Sequence, residues 1–476
     1  MNGKKSQEIV RFGKHLSARG EGERQNLMDT YRTSYRRPQI NTSGYMPYFG
    51  KEGLKPFRPT IQTSSAKMFR GPTQYSSAAN VMEAPDSLKV CIDYHGCFAM
   101  ENDIPAALRS INKSRLSSVV RQSLQRNNFQ IQGWRARNVD GKSGNLVSLG
   151  LYRFEGVGVD RNEWQDWSVI LKVIQSPANL GFVNFGEGDD PTHWNYWKRE
   201  LLIYQSGWLE GLPEGITAPL CYEAMEMPGN IAGMWLEDIK DTYSGAWPLH
   251  RYALTARHLG RLNGIYISRR ELPTYPWLSR GRTRQWLSSI AWQDFPWDHP
   301  QVWQQFPNPE LDSFRSMLQD NERFLAKLDQ LPKTLCYGDT DPANFISHHA
   351  LRRQDQTVAM DWSMAGIEPL GDDLGQLVYG TYLNLKSYRL KDISEMLFTS
   401  YINGLQDSGC RIDTQLVHFG YAATAAFRVG LSKLVHLGEQ LNRENDFMPQ
   451  NNYPSNTPQP FESVMADEAY RLLDRI

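Results

Sequence analysis

Three side chains in the second half of the chain have the types and spacing that phosphoryl transfer requires. Asp339 follows the apolar segment Leu335-Cys336-Tyr337-Gly338, Asn344 comes five residues later, and Asp361 ends a second apolar segment, Val358-Ala359-Met360. In phosphoryl transfer an aspartate accepts the proton of the attacking hydroxyl, and carboxylate and carboxamide oxygens hold the magnesium at the triphosphate. We therefore predict Asp339 as the catalytic residue and Asn344 and Asp361 as magnesium ligands. The same spacing also occurs in ordinary polar turns, so this prediction depends on partners elsewhere in the chain.

Two charged residues earlier in the chain lie among apolar neighbours, where a charge needs an oppositely charged partner. Lys172 lies inside Trp167–Ile174, a β-branched apolar segment of strand length. Glu200 borders the apolar stripe of a helix that the spacing of aromatic residues predicts over Thr192–Leu209. Buried lysines are rarely unpaired, so we predict an ion pair between Lys172 and Glu200. The alternatives are an edge-strand lysine that extends to water and a solvated helix residue.

The order of these residues resembles the kinase fold and, within it, the aminoglycoside phosphotransferase and choline-kinase-like family. That family carries a His-Gly-Asp-x-x-x-x-Asn loop followed by Asp-Trp or Asp-Phe. Gly338-Asp339 through Asn344 matches the loop, Asp361-Trp362 matches the second motif, and the segment Gly371 to Gly375 matches a trailing Gly-Asp-rich motif. Tyr337 stands where the family usually has histidine. Because a tyrosine hydroxyl can also donate a hydrogen bond, we expect Tyr337 to support the loop without taking part in the chemistry.

The resemblance implies a nucleotide site that binds ATP with Mg²⁺. It places Lys172 at the α- and β-phosphates, paired with Glu200, and it places the adenine against the backbone around Glu237 and Ile239. It also places a glycine-bearing hairpin, with Gly141 and Gly144, over the phosphates, where glycine would let the backbone approach closely. Asp-Gly and Ser-Gly pairs are equally typical of ordinary hairpin turns.

The acceptor is less well defined by the sequence. Asp341 occupies the position, two residues after the catalytic aspartate, where protein kinases carry lysine, and no Ala-Pro-Glu follows Asp361. The short span from Asp361 to Gly371 leaves little room for a peptide-docking loop, which favours a small-molecule hydroxyl as acceptor. A peptide or protein kinase and a non-catalytic pseudokinase remain the alternatives. The tryptophan-rich segment 275–306 is either an aromatic acceptor wall or, as we prefer, core packing.

Composition divides the chain into three parts. Residues 1–85 are predicted to be a basic, disordered extension, since residues 1–80 hold 14 Lys and Arg against 5 Asp and Glu without a sustained apolar period. Residues 86–238 are predicted to form the N-lobe with its nucleotide-binding sheet, and residues 239–476 a helical C-lobe with the catalytic loop and acceptor site. The fold class is therefore α+β: a protein-kinase-like, two-lobed fold with a small antiparallel sheet and a mainly helical C-lobe.

The whole chain argues for a globular enzyme in a reducing compartment. Its five cysteines are scattered without zinc or disulfide spacing, and no signal peptide or membrane span is apparent. We expect a cytoplasmic location, no membrane partner and no nucleic-acid partner. His348-His349 lacks nearby ligands at metal spacing and is expected to be a surface turn.

The apolar patterns predict the individual elements of both lobes. Strands are predicted over 88–94, 129–139, 146–156, 167–174, 217–226 and 231–236, and helices over 104–126, 192–209, 249–267, 372–385, 390–406 and 413–441, with a short terminal helix.

Overall fold

The N-terminal part of the described chain is one seven-stranded sheet. The computed structural model describes residues 92–94, 97–98, 111–139, 147–180, 189–306, 308–349, 355–443 and 461–476. The strands of this sheet are β1 Ile92–Tyr94, β2 Cys97–Phe98, β3 Gln130–Asn138, β4 Ser148–Asp160, β5 Glu163–Gln175, β7 Cys221–Met227 and β8 Ile231–Glu237. The short strand β6, Ile216–Thr217, belongs to another sheet. The order in the seven-stranded sheet is β2-β1-β3-β4-β5-β8-β7, and all neighbours except β1 and β3 are antiparallel. The predicted antiparallel N-lobe is confirmed.

The hairpin of β4 and β5 is longer than the sequence predicted. Its turn consists of Arg161 and Asn162, whose φ angles are 50° and 70°. Two consecutive residues with positive φ form the kind of two-residue turn whose twist matches that of the strands it joins. The pairing therefore continues to Asp160 and Glu163, beyond the apolar residues on which the prediction relied.

Helix α1, Lys113–Leu124, covers one face of this sheet. It begins at Asn112, whose side chain accepts a hydrogen bond of 2.7 Å from the Arg115 amide. Leu116, Val119 and Val120 are fully buried and belong to the cluster that includes the inner residues of β4 and β5. This is the apolar face that the spacing predicted.

Helix α2, Arg199–Gln205, is much shorter than the predicted helix over 192–209. The guanidinium of Arg199 donates to the carbonyls of Trp194 and Trp277, at 2.8 Å and 2.6 Å. Arg199 also donates to the His193 carbonyl. The residues before the helix are therefore held as turns, because the carbonyls of His193 and Trp194 accept from this side chain and not from amides four residues on. At the other end, Gly207 adopts a left-handed conformation that stops the helix.

The C-terminal part of the described chain is mainly helical, as predicted. Its helices are α3 Leu249–Ser268, α4 Arg282–Ser288, α5 Pro300–Gln305, α6 Asn308–Gln319, α7 Asn321–Gln330, α8 Gly375–Asn384, α9 Leu390–Asp407, α10 Thr414–Ala425, α11 Leu431–Arg443 and α12 Phe461–Leu473. The region predicted as one helix over 413–441 contains a π-helical segment, Ala426–Gly430, between α10 and α11. Among the described helices, none combines the length and the apolar character needed to cross a bilayer.

Helices α3 and α9 pack closely at the centre of this part. A side chain on Gly260 would meet the carbonyl of Tyr401, and one on Gly404 would meet the carbonyl of Arg257. Glycine at both positions therefore lets the two backbones touch, which fixes α3 beneath the strands that carry the candidate site.

His258 of α3 is buried, with its Nδ1 atom 2.9 Å from the hydroxyl of Thr357. The groups that act on it are Arg251, Arg261, Arg257 and Asp407. Burial, followed by the three arginines, lowers the pKa of His258 to about 3, and Asp407 opposes this only in part. The imidazole is therefore a neutral packing element.

Two small sheets position the loops that the sequence singled out. Their remaining strands are β9 Ser279–Arg280, β10 Lys333–Cys336, β11 Phe345–His349, β12 Asp355–Ala359 and β13 Gly366–Pro369. The strand orders are β10-β13-β9 and β11-β12-β6. Asp339 follows β10, Asn344 precedes β11 and Asp361 follows β12. Because β11 and β12 form a hairpin in which Phe345 pairs with Ala359, Asn344 and Asp361 lie at the same end of that hairpin.

Candidate active site

Lys172 forms ion pairs with two carboxylates, one from each part of the fold. Its Nζ atom lies 2.6 Å from Glu200 Oε2 and 3.0 Å from Asp361 Oδ2. Lys172 comes from the centre of the sheet, Glu200 from the first turn of α2, and Asp361 from the end of β12. The side chain of Glu200 is 2% exposed and that of Asp361 is 26% exposed. The predicted pairing of Lys172 with Glu200 is thus present in the structure, and Asp361 completes a triad.

The charges of this triad are unequal. Burial lowers the pKa of Lys172, but the nearby Asp361 and Glu200 carboxylates outweigh it and raise the pKa overall. Burial raises the pKa of Asp361, but the Lys172 ammonium and the hydrogen bonds from Ser363 together outweigh it and keep the pKa of that carboxyl low. For Glu200, burial dominates over Lys172 and raises the pKa to about 7. Lys172 and Asp361 therefore form the firmly charged pair, and Glu200 is the residue whose charge is most costly to keep.

Asp339 and Asn344 face each other across one short loop. Asn344 Nδ2 donates to the Asp339 carbonyl at 3.1 Å, and Gln376 Nε2 donates to Asp339 Oδ1 at 2.8 Å. Burial and then the Asp361 carboxylate raise the pKa of Asp339, while Gln376 and Arg428 oppose the rise. The Asn344 carboxamide oxygen accepts no hydrogen bond from the described residues. Asp361 Oδ2 pairs with Lys172, and Asp361 Oδ1 accepts from the Ser363 amide at 3.3 Å. Carboxylate and carboxamide oxygens have further lone pairs, so the Asn344 oxygen and the partly exposed Asp361 carboxylate can still bind a hard cation, which prefers such oxygens.

Tyr337 links the two aspartates. Its side chain is fully buried, and its hydroxyl donates to the carbonyl of Met360, the residue before Asp361. Its ring meets the Trp362 ring edge to face, at 4.8 Å between centroids and 83° between planes. The same residue thus supports the backbone on both sides of the site, which is the supporting arrangement that the sequence predicted.

The backbone before Asp339 is held by Asp373, whose role the sequence reasoning missed. Asp373 accepts from the amides of Tyr337 and Gly338 at 3.0 Å and 2.8 Å. Gly338 has a φ of 90°, which glycine adopts without strain. Asn263 of α3 donates to the same carboxylate at 3.0 Å. The matching Gly371–Gly375 motif was a sequence signal for this group, since two adjacent acids beside apolar leucines need buried partners.

Asp372 belongs to a second buried charge pair beneath the loop. It pairs with Arg282, and both side chains are fully buried. Cys336, Asp372 and Asp373 bring three ligand-type atoms within 4.8 Å of one another. Because Asp372 is already paired with a guanidinium and both oxygens of Asp373 accept amide protons, we assign these acids to support of the loop and not to a metal site.

Glu237 and Ile239 lie where the sheet leads into the helical part. The Glu237 amide donates to the Leu220 carbonyl at 2.8 Å, and the Glu237 carboxylate accepts from the Leu220 amide at 3.2 Å. Neither backbone group of Ile239 makes a hydrogen bond with the described residues. If a base binds here, the Ile239 backbone is free to pair with it, whereas the Glu237 amide is already engaged.

The other sequence expectations have mixed outcomes. Gly141, Gly144 and the extension 1–85 lie outside the described residues. The tryptophan-rich segment is mostly packed against the C-terminal core, with Trp277 stacked on Tyr275 at 4.7 Å, which agrees with the preferred core interpretation. His348 is exposed, but it belongs to β11 and not to a turn.

Comparison with known proteins finds similarity only at the level of solved structures. No family model and no curated protein matches the chain. A choline kinase from Cryptosporidium parvum Iowa II shares 12% identity over 79% of this chain and 94% of that chain, with a TM-score of 0.41. The choline kinase LicA from Streptococcus pneumoniae shares 13% over 76% and 99%, with a TM-score of 0.38. An aminoglycoside phosphotransferase from Alicyclobacillus acidocaldarius subsp. acidocaldarius shares 11% over 73% and 93%, with a TM-score of 0.39.

Independently of these matches, the fold described above consists of an antiparallel N-terminal sheet, a helical C-terminal region, and a lysine–glutamate pair beside an aspartate-bearing loop.

Proposed function

We propose that this protein is an ATP-dependent phosphotransferase that transfers the γ-phosphate to a hydroxyl of a small molecule. The observation that carries the proposal is the Lys172–Glu200–Asp361 triad beside Asp339 and Asn344. A buried lysine held between two carboxylates, one of which has a partly exposed oxygen, suits the binding of a triphosphate with a divalent cation.

Each of these residues has a distinct role in the proposed reaction. Lys172 binds the α- and β-phosphates and is kept in place by Glu200. Asp339 accepts the proton of the acceptor hydroxyl while the hydroxyl oxygen forms a bond to the γ-phosphorus. The bond between the γ-phosphorus and the β,γ-bridging oxygen breaks in the same step, which releases ADP. The raised pKa of Asp339 suits a group that must take up a proton in this step.

The oxygens of Asn344 and Asp361 fit a bound Mg²⁺. A bound Mg²⁺ would shield the charge of the triphosphate. Both residues come from the same end of the β11–β12 hairpin. The Asp361 carboxylate remains ionised because Lys172 and the hydrogen bonds from Ser363 together lower its pKa more than burial raises it.

A small acceptor is favoured over a peptide by the segment that follows Asp361. Residues 362–364 form a 3₁₀ turn, and β13 then runs fully buried from Gly366 to Pro369 against β10. The chain between Asp361 and Gly371 is therefore part of the core, and no surface loop is left in it to dock a peptide.

The first test compares two matched substitutions in the same loop. Asp339→Asn should keep the fold and nucleotide binding but lower ATP turnover at least about 100-fold, because a group in contact with the reacting hydroxyl is lost. Asp341→Asn is the control: Asp341 caps the 3₁₀ turn by accepting from the Ala343 amide at 2.8 Å, which asparagine can also do. Turnover is measured with a panel of metabolites and peptides. If Asp339→Asn matches the wild type, Asp339 has no part in the mechanism.

The second test concerns the cation. Asp361→Ala should weaken the binding of Mg-ATP far more than the binding of ATP in the presence of a chelator, as measured by calorimetry. Equal losses in the two titrations would show that Asp361 has only a structural role through Lys172.

A further inference from the structure

Arg428 reaches the catalytic loop from an irregular part of the C-terminal helices. It lies in the π-helical segment Ala426–Gly430, between α10 and α11. Its Nη1 atom donates to the Gly338 carbonyl at 3.1 Å and lies 3.7 Å from Asp372 Oδ2. The side chain is 20% exposed, so it is largely enclosed at the loop.

The contact falls on the peptide that leads into the catalytic aspartate. The carbonyl of Gly338 shares a peptide plane with the amide of Asp339. On the other side of Gly338, its amide donates to Asp373 at 2.8 Å. Gly338 has no Cβ and adopts a φ of 90°, so its own backbone sterics restrict it less than they would another residue. Asp373 and Arg428 therefore hold a flexible residue from both directions.

The buried charges explain why Arg428 keeps this geometry. Asp372 is shared between Arg282, which is fully buried, and Arg428, which is partly exposed. Arg428 is also the cation that acts on Asp339 besides the hydrogen bond from Gln376. The loop from Tyr337 to Asn344 contains no lysine or arginine, and the residue two positions after Asp339 is another acid, Asp341. The loop itself therefore supplies no positive charge near Asp339.

We propose that Arg428 is a positioning residue for the transfer step: by holding the Gly338 carbonyl it fixes the Gly338–Asp339 peptide and so aims the Asp339 carboxylate. This inference rests on the proposed function. It adds to that proposal a residue about 90 positions away in the chain that touches no reacting atom.

The experiment uses the full-length protein and Mg-ATP, with water as the acceptor and phosphate release as the readout. Arg428→Met should lower kcat about 10- to 100-fold, because small misplacements of a reacting group have effects of this size, while the KM for ATP stays within about twofold. Arg428→Lys retains a donor and a charge and should recover part of the loss. The control is Arg257→Met, which removes an arginine that pairs with Asp407 at the protein surface, 2.7 Å away, and should leave kcat unchanged.

Hydrogen exchange provides a second readout that needs no turnover. In Arg428→Met the amides of the loop from Tyr337 to Asn344 should exchange at least about tenfold faster than in the wild type. In Arg257→Met they should exchange at the wild-type rate. Unchanged kcat per folded molecule, or a rise in the KM for ATP at constant kcat, would overturn the proposal. Unchanged loop exchange would also overturn it. Absence of wild-type turnover both with water and with the panel of metabolites and peptides would instead contradict the proposed function, and the exchange measurement would still decide whether Arg428 holds the loop.

Discussion

The role of Tyr337 can be tested by removing its hydroxyl and its ring in separate steps. Tyr337→Phe deletes only the hydrogen bond to the Met360 carbonyl, Tyr337→His retains a ring and a donor, and Tyr337→Ala deletes both. Since Met360 directly precedes Asp361, Tyr337→Phe tests whether this hydrogen bond keeps Asp339 and Asp361 correctly placed relative to each other.

The expected magnitudes follow from the burial of the side chain. Tyr337 is fully buried, so Tyr337→Phe removes a hydrogen bond whose donor is inaccessible to water and should lower the free energy of unfolding by about 1–3 kcal/mol. Tyr337→Ala also loses the ring contacts with Trp362 and Phe345. Its total loss should be at least about 4 kcal/mol. Tyr337→His should fold and remain active, with a stability between those of the other two variants.

The assay pairs urea unfolding with steady-state kinetics on folded protein. The control is Tyr421→Phe, which removes a hydroxyl of another fully buried tyrosine that lies 3.0 Å from the Ser394 hydroxyl. It should lose about 1 kcal/mol of stability and no activity. Tyr337→Phe should lose about tenfold in kcat as well, because the loop shifts relative to Asp361. If Tyr337→Ala turns over like the wild type, the reasoning is refuted. If Tyr337→His alone abolishes activity, the tyrosine has a specific role beyond support.

Three further perturbations should have defined outcomes. Gly338→Ala forces a left-handed residue to carry a side chain that would meet the buried guanidinium beneath the loop, so thermal and urea unfolding should show a loss of at least about 2 kcal/mol. Burial and the neighbouring arginines lower the pKa of His258 to about 3, so the unfolded chain binds a proton below about pH 6.5 that the folded chain refuses. The free energy of unfolding should therefore fall by about 1.4 kcal/mol per pH unit as the pH drops from 6.5 to 4.5, and His258→Asn should show a slope smaller by that amount; equal slopes would contradict the assignment. Lys433→Met leaves the fully buried Glu462 carboxylate without its ion-pair partner, which should lower the free energy of unfolding by about 3 kcal/mol. Adding Glu462→Leu should restore most of that stability. A double variant no more stable than the single one would show that the pair is not coupled.

The sequence by itself predicted most of the elements and the candidate site residues. The apolar patterns around Lys172 and Asp361 predicted the strands, because the alternation and β-branched composition of a strand are local properties. The motif spacing singled out Asp339, Asn344 and Asp361 as candidates for a similar reason. A carboxylate and a carboxamide that act within one loop lie close together in the sequence, so their spacing can be recognised without the structure.

Only the tertiary structure decided how these residues are held. The shortening of α2 depends on the guanidinium of Arg199, whose carbonyl partners include Trp277, far away in the chain. The π-helical segment that carries Arg428 could not be predicted from the spacing of apolar residues. A π-helical segment adds one residue to a helical turn, which hardly changes that spacing. Asp373 and Arg428 meet Gly338 only because α3, α8 and the α10–α11 junction pack around β10. Such contacts join residues with no periodic relation in the sequence, and their strength comes from burial, which the fold alone creates.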